Sequence, residues 1–132
     1  MNFHTKIILH LTDFSNNAKN ALRYAGDLLQ IKDARLVLLH VHELQQGKHS
    51  AKGAALQEEL NAIEKELSIK MDAYLKDVLE GQTLRNVPEI QLVHHHSPYQ
   101  AIQDAVTKLD PNMIVMGKRG SSSITSAEMG SV

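Results

Sequence analysis

Glycines stand at positions 117, 120 and 130 of the chain, and Ser131 directly follows the third. The spacing is Gly-x2-Gly-x9-Gly-Ser, and the apolar run Met113-Ile114-Val115-Met116 leads straight into it. These residue types suit the holding of phosphate. Glycine lets the backbone take positive φ and lets a ligand approach the main chain closely. Successive N–H groups in a glycine-rich turn form a concavity for anions. A Gly-Ser pair opening a helix would add N–H donors, a hydroxyl and the positive end of the helix dipole. A purely structural turn is the alternative reading, but a turn requires neither the nine-residue gap nor the serine. On this reading a bulky residue at Gly117 or Gly130 should crowd the ligand without unfolding the protein. The sequence stops at Val132, so the helix that Gly130 and Ser131 should open is expected to be missing.

A second cluster follows the first apolar run. Lys6-Ile7-Ile8-Leu9-His10-Leu11 leads into Thr12-Asp13-Phe14-Ser15, turn and cap chemistry that can also touch a ligand. Asp13 reads as a helix cap or as a ligand contact. The two roles can coexist, because Ser15 can serve as the cap. His40 lies within an aliphatic run and reads as a hydrogen-bonded core residue, and His10 is similar. The run His94-His95-His96 is the obvious metal candidate. Strand alternation sends neighbours to opposite faces, so only His94 and His96 could converge. Zinc needs a third or fourth ligand and spacing identifies none, so no metal site is expected. His4, His42 and His49 fall in end or loop segments and should be solvated.

The elements that must position these residues alternate between two periods. Lys6 to Leu11 reads as a first buried strand. The next helix should carry Ala18, Ala21, Leu22, Ala25, Leu28 and Leu29 on one face. Arg35 to Val41 is a second strand, and its near-continuous aliphatic run fits a parallel sheet covered on both faces. His42 to Lys52 reads as a loop. A long helix is predicted from about Ala54 to Glu80, with Gly81 as its stop. Pro88 to Val93 suggests a third strand, ahead of the three histidines. Ser97-Pro98 starts a helix, with serine as N-cap and proline in the first turn. Asp110-Pro111 ends it, and Met113 to Met116 is the fourth strand. The order βαβαβαβ predicts an open parallel α/β sheet with right-handed crossovers.

Composition excludes several classes. A chain of 132 residues with 42% hydrophobic and 22% charged residues is an ordinary globular domain, read here as one domain over 1–132. A net charge of −1 gives no global field for nucleic acid. The absence of cysteine removes disulfides and thiolate metal sites and favours the cytosol. No signal-peptide pattern and no run of about 20 apolar residues is present, so neither export nor a membrane span is expected.

Taken together, the segments resemble the universal stress proteins, in particular their ATP-binding branch. The resemblance runs from Lys6 to Val132. It rests on Thr12-Asp13-Phe14-Ser15, on Leu38-Leu39-His40-Val41, on Ser97-Pro98, and on Asp110 to Gly120, which is close to the family's D-x-I-V-M-G-x-R-G. The glycine signature is its most specific element. The resemblance implies a doubly wound, Rossmann-like or flavodoxin-like sheet of the adenine nucleotide alpha hydrolase type. Its strand order would be 3-2-1-4-5, with the last helix and strand absent from this chain. It implies adenine nucleotide (ATP, ADP or AMP, with or without Mg2+) at the carboxyl ends of strands 1 and 4. That is where strand order reverses and where open α/β sheets bind ligands.

By the same resemblance Thr12 and Asp13 line the adenosine pocket, and Val41 meets adenine through its backbone. Met116 packs on the base or ribose. Gly117 and Gly120 let the loop wrap the ribose and phosphates. Ser121, Gly130, Ser131 and Val132 present donors to the phosphates, with Arg119 as a charge partner. A homo-oligomer is implied, usually joined through the fifth strand. Without that strand, self-association through the edge of strand 4 is expected instead. Two departures stand out: His10 where the family often has proline, and the histidine run where it usually has glycine.

Other classes fit less well. A phosphoryl-accepting response regulator needs paired acids after strand 1, and only Asp13 is there. A nucleotide alpha hydrolase or adenylating enzyme needs a Ser-Gly-Gly-rich loop where Thr-Asp-Phe-Ser stands. Gly-x4-Gly-Lys-Ser/Thr is absent, which excludes a Walker P-loop kinase. No nucleophile–base pair stands out, and slow ATP hydrolysis is left open. The expected role is a cytoplasmic, nucleotide-binding stress-response regulator. The alternative is a non-nucleotide member acting by dimerisation or partner binding.

Overall fold

The computed structural model describes residues 6–31, 33–44, 53–84 and 86–117. The element order is β1 (Lys6–Leu11), α1 (Asn16–Ile31), β2 (Ala34–Glu43), α2 (Ala54–Leu79), β3 (Glu89–His95), α3 (Pro98–Leu109) and β4 (Met113–Met116). The four strands form one parallel sheet in the order β3-β2-β1-β4. Every pair is parallel, with Leu9 opposite Val37 and Ile114, and Val41 opposite Val93. The order therefore reverses between β1 and β4, as the family resemblance implies.

Alternation divides the strand residues between two layers. Ile8, Leu36, Leu38 and Val115 face α1 and α2, where they meet Leu22, Ala25, Met71 and Tyr74. Ile7, Leu9, Val37 and Leu39 face the other way, onto Ala105 with Ile102 and Val106 of α3. Leu9, Leu22, Leu36, Leu38 and Leu39 are fully buried, and each contributes about 1.5–3 kcal/mol relative to exposure. Ser97 caps α3 by accepting from Gln100 N–H at 3.2 Å, with Pro98 in the first turn. Asp110 ends that helix in the left-handed region, at φ 47°.

Two boundaries differ from the sequence reading. β2 does not stop at Val41 but continues through His42 and Glu43, and β3 runs on to His95. His42 pairs with His94 and Glu43 with His95. Main-chain ladders form whatever the side chains are, so polar residues at the end of a sheet are easily taken for loop. Gly117 also differs. A Cβ there would run into the backbone of Asn17 and Ala18 at the start of α1. Its smallness lets β4 pass close beneath a helix, so a larger residue would disturb the fold as well as any ligand.

Candidate functional site

The carboxyl ends of β1, β2 and β4 open into a cavity of about 270 Å³. Leu11, Thr12 and Asp13 form its β1 side, and Met116 and Gly117 its β4 side. Leu39, His40, Val41 and Glu43 contribute from β2, and Pro98 and Ile102 from the start of α3. Thr12, Asp13, Val41, Met116 and Gly117, singled out from the sequence, thus lie around one space. Arg119, Gly120, Ser121, Gly130, Ser131 and Val132 lie outside the described residues.

Thr12 organises the turn after β1. Its N–H donates to Leu39 O at 3.0 Å, and its carbonyl accepts from His40 Nδ1 at 2.9 Å. Its hydroxyl oxygen accepts from Phe14 N–H at 2.9 Å. Since Leu39 points its carbonyl at β1, alternation points the N–H and C=O of Val41 to the same side. There β1 has already turned away, so those groups face the cavity side. Asp13 Oδ1 accepts from Ser15 N–H at 2.9 Å, and Ser15 Oγ accepts from Ala18 N–H at 3.1 Å. Ser15 is therefore the α1 cap, and Asp13 holds an Asx turn beside the cavity. Between them Phe14 takes φ 65°, a left-handed conformation uncommon outside glycine. Its ring is held by an edge contact to Tyr74 at 5.4 Å and by the Lys70 ammonium at 4.7 Å.

Behind the turn sits a buried polar pair. His10 has no exposed surface. Its Nδ1 lies 3.1 Å from Val115 O and its Nε2 2.7 Å from the Tyr74 hydroxyl. A carbonyl only accepts, so Nδ1 carries the proton and Nε2 accepts from Tyr74. Burial lowers the His10 pKa from 6.5 to about 4, against the opposing pull of Val115 O and Asp13. Burial likewise pushes the Tyr74 phenol up to about 12, opposed by a hydrogen bond from Thr12. His10 is the hydrogen-bonded core residue expected from sequence. His40 is hydrogen-bonded too, but it also lines the cavity.

The histidine run splits up. His94 faces α2, with Nε2 3.8 Å from Glu64 Oε1 and its ring 5.3 Å from that of His42. His95 accepts from Ser97 N–H at 2.9 Å, and His96 lies exposed beyond the strand. His42 is half-buried in β2 rather than solvated in a loop. Among the described residues no group of three or more histidine or acidic side chains is placed to hold a metal.

The profile of the universal stress protein family matches residues 4–132, which is nearly the whole chain. The chain belongs to the universal stress protein family. Among curated proteins none matches it in sequence. Solved structures with the same fold include universal stress protein UspA from Lactobacillus plantarum. That one has a TM-score of 0.67 and 23% identity over 98% of this chain and 88% of the other. A member of the family from Burkholderia pseudomallei has a TM-score of 0.59 and 20% identity, covering 89% and 84%. A universal stress protein in complex with cAMP has a TM-score of 0.56 and 20% identity, covering 96% and 86%. At such identities the likeness speaks for the fold of this universal stress protein domain, not for its ligand.

Sequence reasoning overlooked Leu11, Leu39, His40, Glu43, Pro98 and Ile102 as cavity residues. Pro98 carried a usable signal: a helix after a parallel strand begins at the carboxyl end of the sheet, where the site lies. Leu39 and Ile102 carried none, because core and cavity wall use the same aliphatic residues.

Proposed function

We propose that this universal stress protein is a regulatory protein that binds an adenine nucleotide in the cavity between β1 and β4. The observation that carries the reading is the convergence of Thr12, Asp13, Val41, Met116 and Gly117 at the reversal of strand order. The volume, about 270 Å³, is near the lower end for small-molecule pockets (~300 Å³), and suits a base and ribose. Aliphatic walls from Leu39, Val41 and Ile102 suit a purine. Thr12, Asp13 and the backbone of Val41 supply the polar contacts. The charged side chains among the described lining residues are Asp13 and Glu43, both acidic. Phosphates are therefore assigned to Gly117, Arg119, Gly120, Ser121, Gly130, Ser131 and Val132, with Mg2+ as a companion ion for ATP. The complex of a relative with cAMP supports a nucleotide as the ligand class.

The domain is also proposed to act in the cytoplasm in a stress response, as a homo-oligomer. β4 supports the last point, because it exposes Met113, Ile114 and Met116 at the sheet edge among the described residues. Calorimetric titration of the full chain with ATP, ADP, AMP and cAMP tests the ligand. Binding is expected for at least one adenine nucleotide, and Val41→Trp, which fills the cavity, should weaken it at least tenfold. Unchanged affinity in that variant, or no binding by the parent chain, would overturn the reading.

A further inference from the structure

The β1–β2 ladder ends in an irregular way. Its last register pair is Leu11 with Leu39, so the next would be Thr12 with His40. In a parallel ladder a residue bonds both neighbours of its partner: its N–H donates to the one before, and its carbonyl accepts from the one after. The first bond is present, from Thr12 N–H to Leu39 O at 3.0 Å. The second would join Thr12 O to the N–H of Val41, and no such bond forms among the described residues. Thr12 O instead lies 2.9 Å from Nδ1 of the His40 ring. A carbonyl only accepts, so that nitrogen carries the proton and donates it. The ring is held in this pose. Alternation puts the His40 side chain on the α1–α2 face with Leu36 and Leu38. There the Phe14 ring packs on it at 4.7 Å, while Phe14 N–H donates to the Thr12 hydroxyl oxygen at 2.9 Å.

We infer that His40 is a positioning residue for the proposed nucleotide site: its ring takes the Thr12 carbonyl, ends the β1–β2 ladder one bond early, and so keeps the Val41 N–H available to the base. The inference rests on the nucleotide reading above. Thr12 and Val41 both line the cavity, and the Val41 N–H points to its side. A main-chain N–H in a half-buried place needs an acceptor, and a ring nitrogen of a purine can supply one. An aliphatic residue at position 40 would reverse the arrangement. Without the ring donor, the best partner left for Thr12 O is the Val41 N–H. The ladder would then extend by that bond and withdraw the donor from the ligand. The same pairing accounts for a histidine within the aliphatic run of β2.

The test uses the full chain and the adenine nucleotide that binds it best, at a temperature where each variant is fully folded. His40→Leu keeps apolar bulk and removes the donor. It is expected to weaken binding about three- to tenfold, the loss of one hydrogen bond to the ligand. His40→Asn is smaller but keeps an N–H near the place of Nδ1, and it should retain most of the affinity. A ring that only filled space would give the opposite order. Amide hydrogen exchange at Val41 reads the ladder directly. In the parent chain that amide should exchange readily without nucleotide and become protected on saturation. In His40→Leu it should be protected before any nucleotide is added. Should His40→Leu not fold, the exchange of Val41 in the parent chain still decides. Parent-like affinity in His40→Leu, weaker binding by His40→Asn than by His40→Leu, or a Val41 amide already protected in the free parent chain would each overturn the inference while leaving the nucleotide site standing. A parent chain that binds no adenine nucleotide overturns both.

Discussion

The two faces of the sheet are built for different ends. On the α1–α2 face the layers close completely, and Leu22, Leu36, Leu38 and Met71 have almost no exposed surface. The one strongly polar side chain buried among them, His10, is satisfied at both ring nitrogens. On the α3 face a single helix covers β1, β2 and β3, and the layer thins toward the carboxyl ends. Ile114 and Met116 there are 43% and 60% exposed, and the cavity opens beside them. The closed face stabilises the domain, and the open face leaves room for a ligand. The same alternation of strand residues supplies both, so the contrast arises from which helices cover each face.

The contrast predicts unequal responses to truncation. Leu38→Ala on the closed face should destabilise the domain by about 2–5 kcal/mol, as large-to-small changes in tight cores do. Ile102→Ala at the cavity wall removes a side chain that is only half-buried, and about 1 kcal/mol is expected. Denaturant unfolding of both variants measures the gap. Equal losses would mean that the α3 layer is as tightly packed as the other.

Acid provides a second probe of the closed face. His10 is neutral when buried, with its pKa lowered from 6.5 to about 4. Between those values the unfolded chain binds a proton that the folded chain refuses, so stability rises with pH. The contribution is complete above about pH 6.5 and falls by about 3 kcal/mol on acidification to about pH 4. Unfolding curves across that range should lose this slope in His10→Gln. A slope that persists there would assign it to other groups.

The smallest effect belongs to the amino end of the sheet, far from the cavity. Arg35 and Glu89 form a paired fork at 2.6 and 2.7 Å, which holds the Glu89 carboxyl below its ordinary range. Both side chains are more than a third exposed, so solvent screens the pair. Glu89→Gln should alter stability by under about 1 kcal/mol, and the difference should shrink further in high salt.

The sequence exposed what depends on local pattern and hid what depends on packing. The aliphatic runs of β1 and β4 mark their own limits, and Ser97-Pro98 marks the start of α3. His42-Glu43 reads as loop, and the aliphatic pattern of β3 ends at Val93, because these residues lie at the end of the sheet, where side chains are only partly covered, yet main-chain pairing continues through His95. The link from Tyr74 to His10 joins residues 64 positions apart, and no local signal carries it. The role of Gly117 was legible only in part. Glycine suggests close approach, but only the fold reveals that α1, and not a ligand alone, makes that approach.

The most direct test of the nucleotide site is a map of backbone amide resonances during titration of the full chain with the adenine nucleotide that binds best. The account predicts the largest shifts at Thr12, Asp13, Val41, Met116 and Gly117, with Leu22 and Val78 in the closed core nearly still. Shifts centred instead on the crevice between α1 and α2, at Lys19, Ala73 and Asp77, would contradict it.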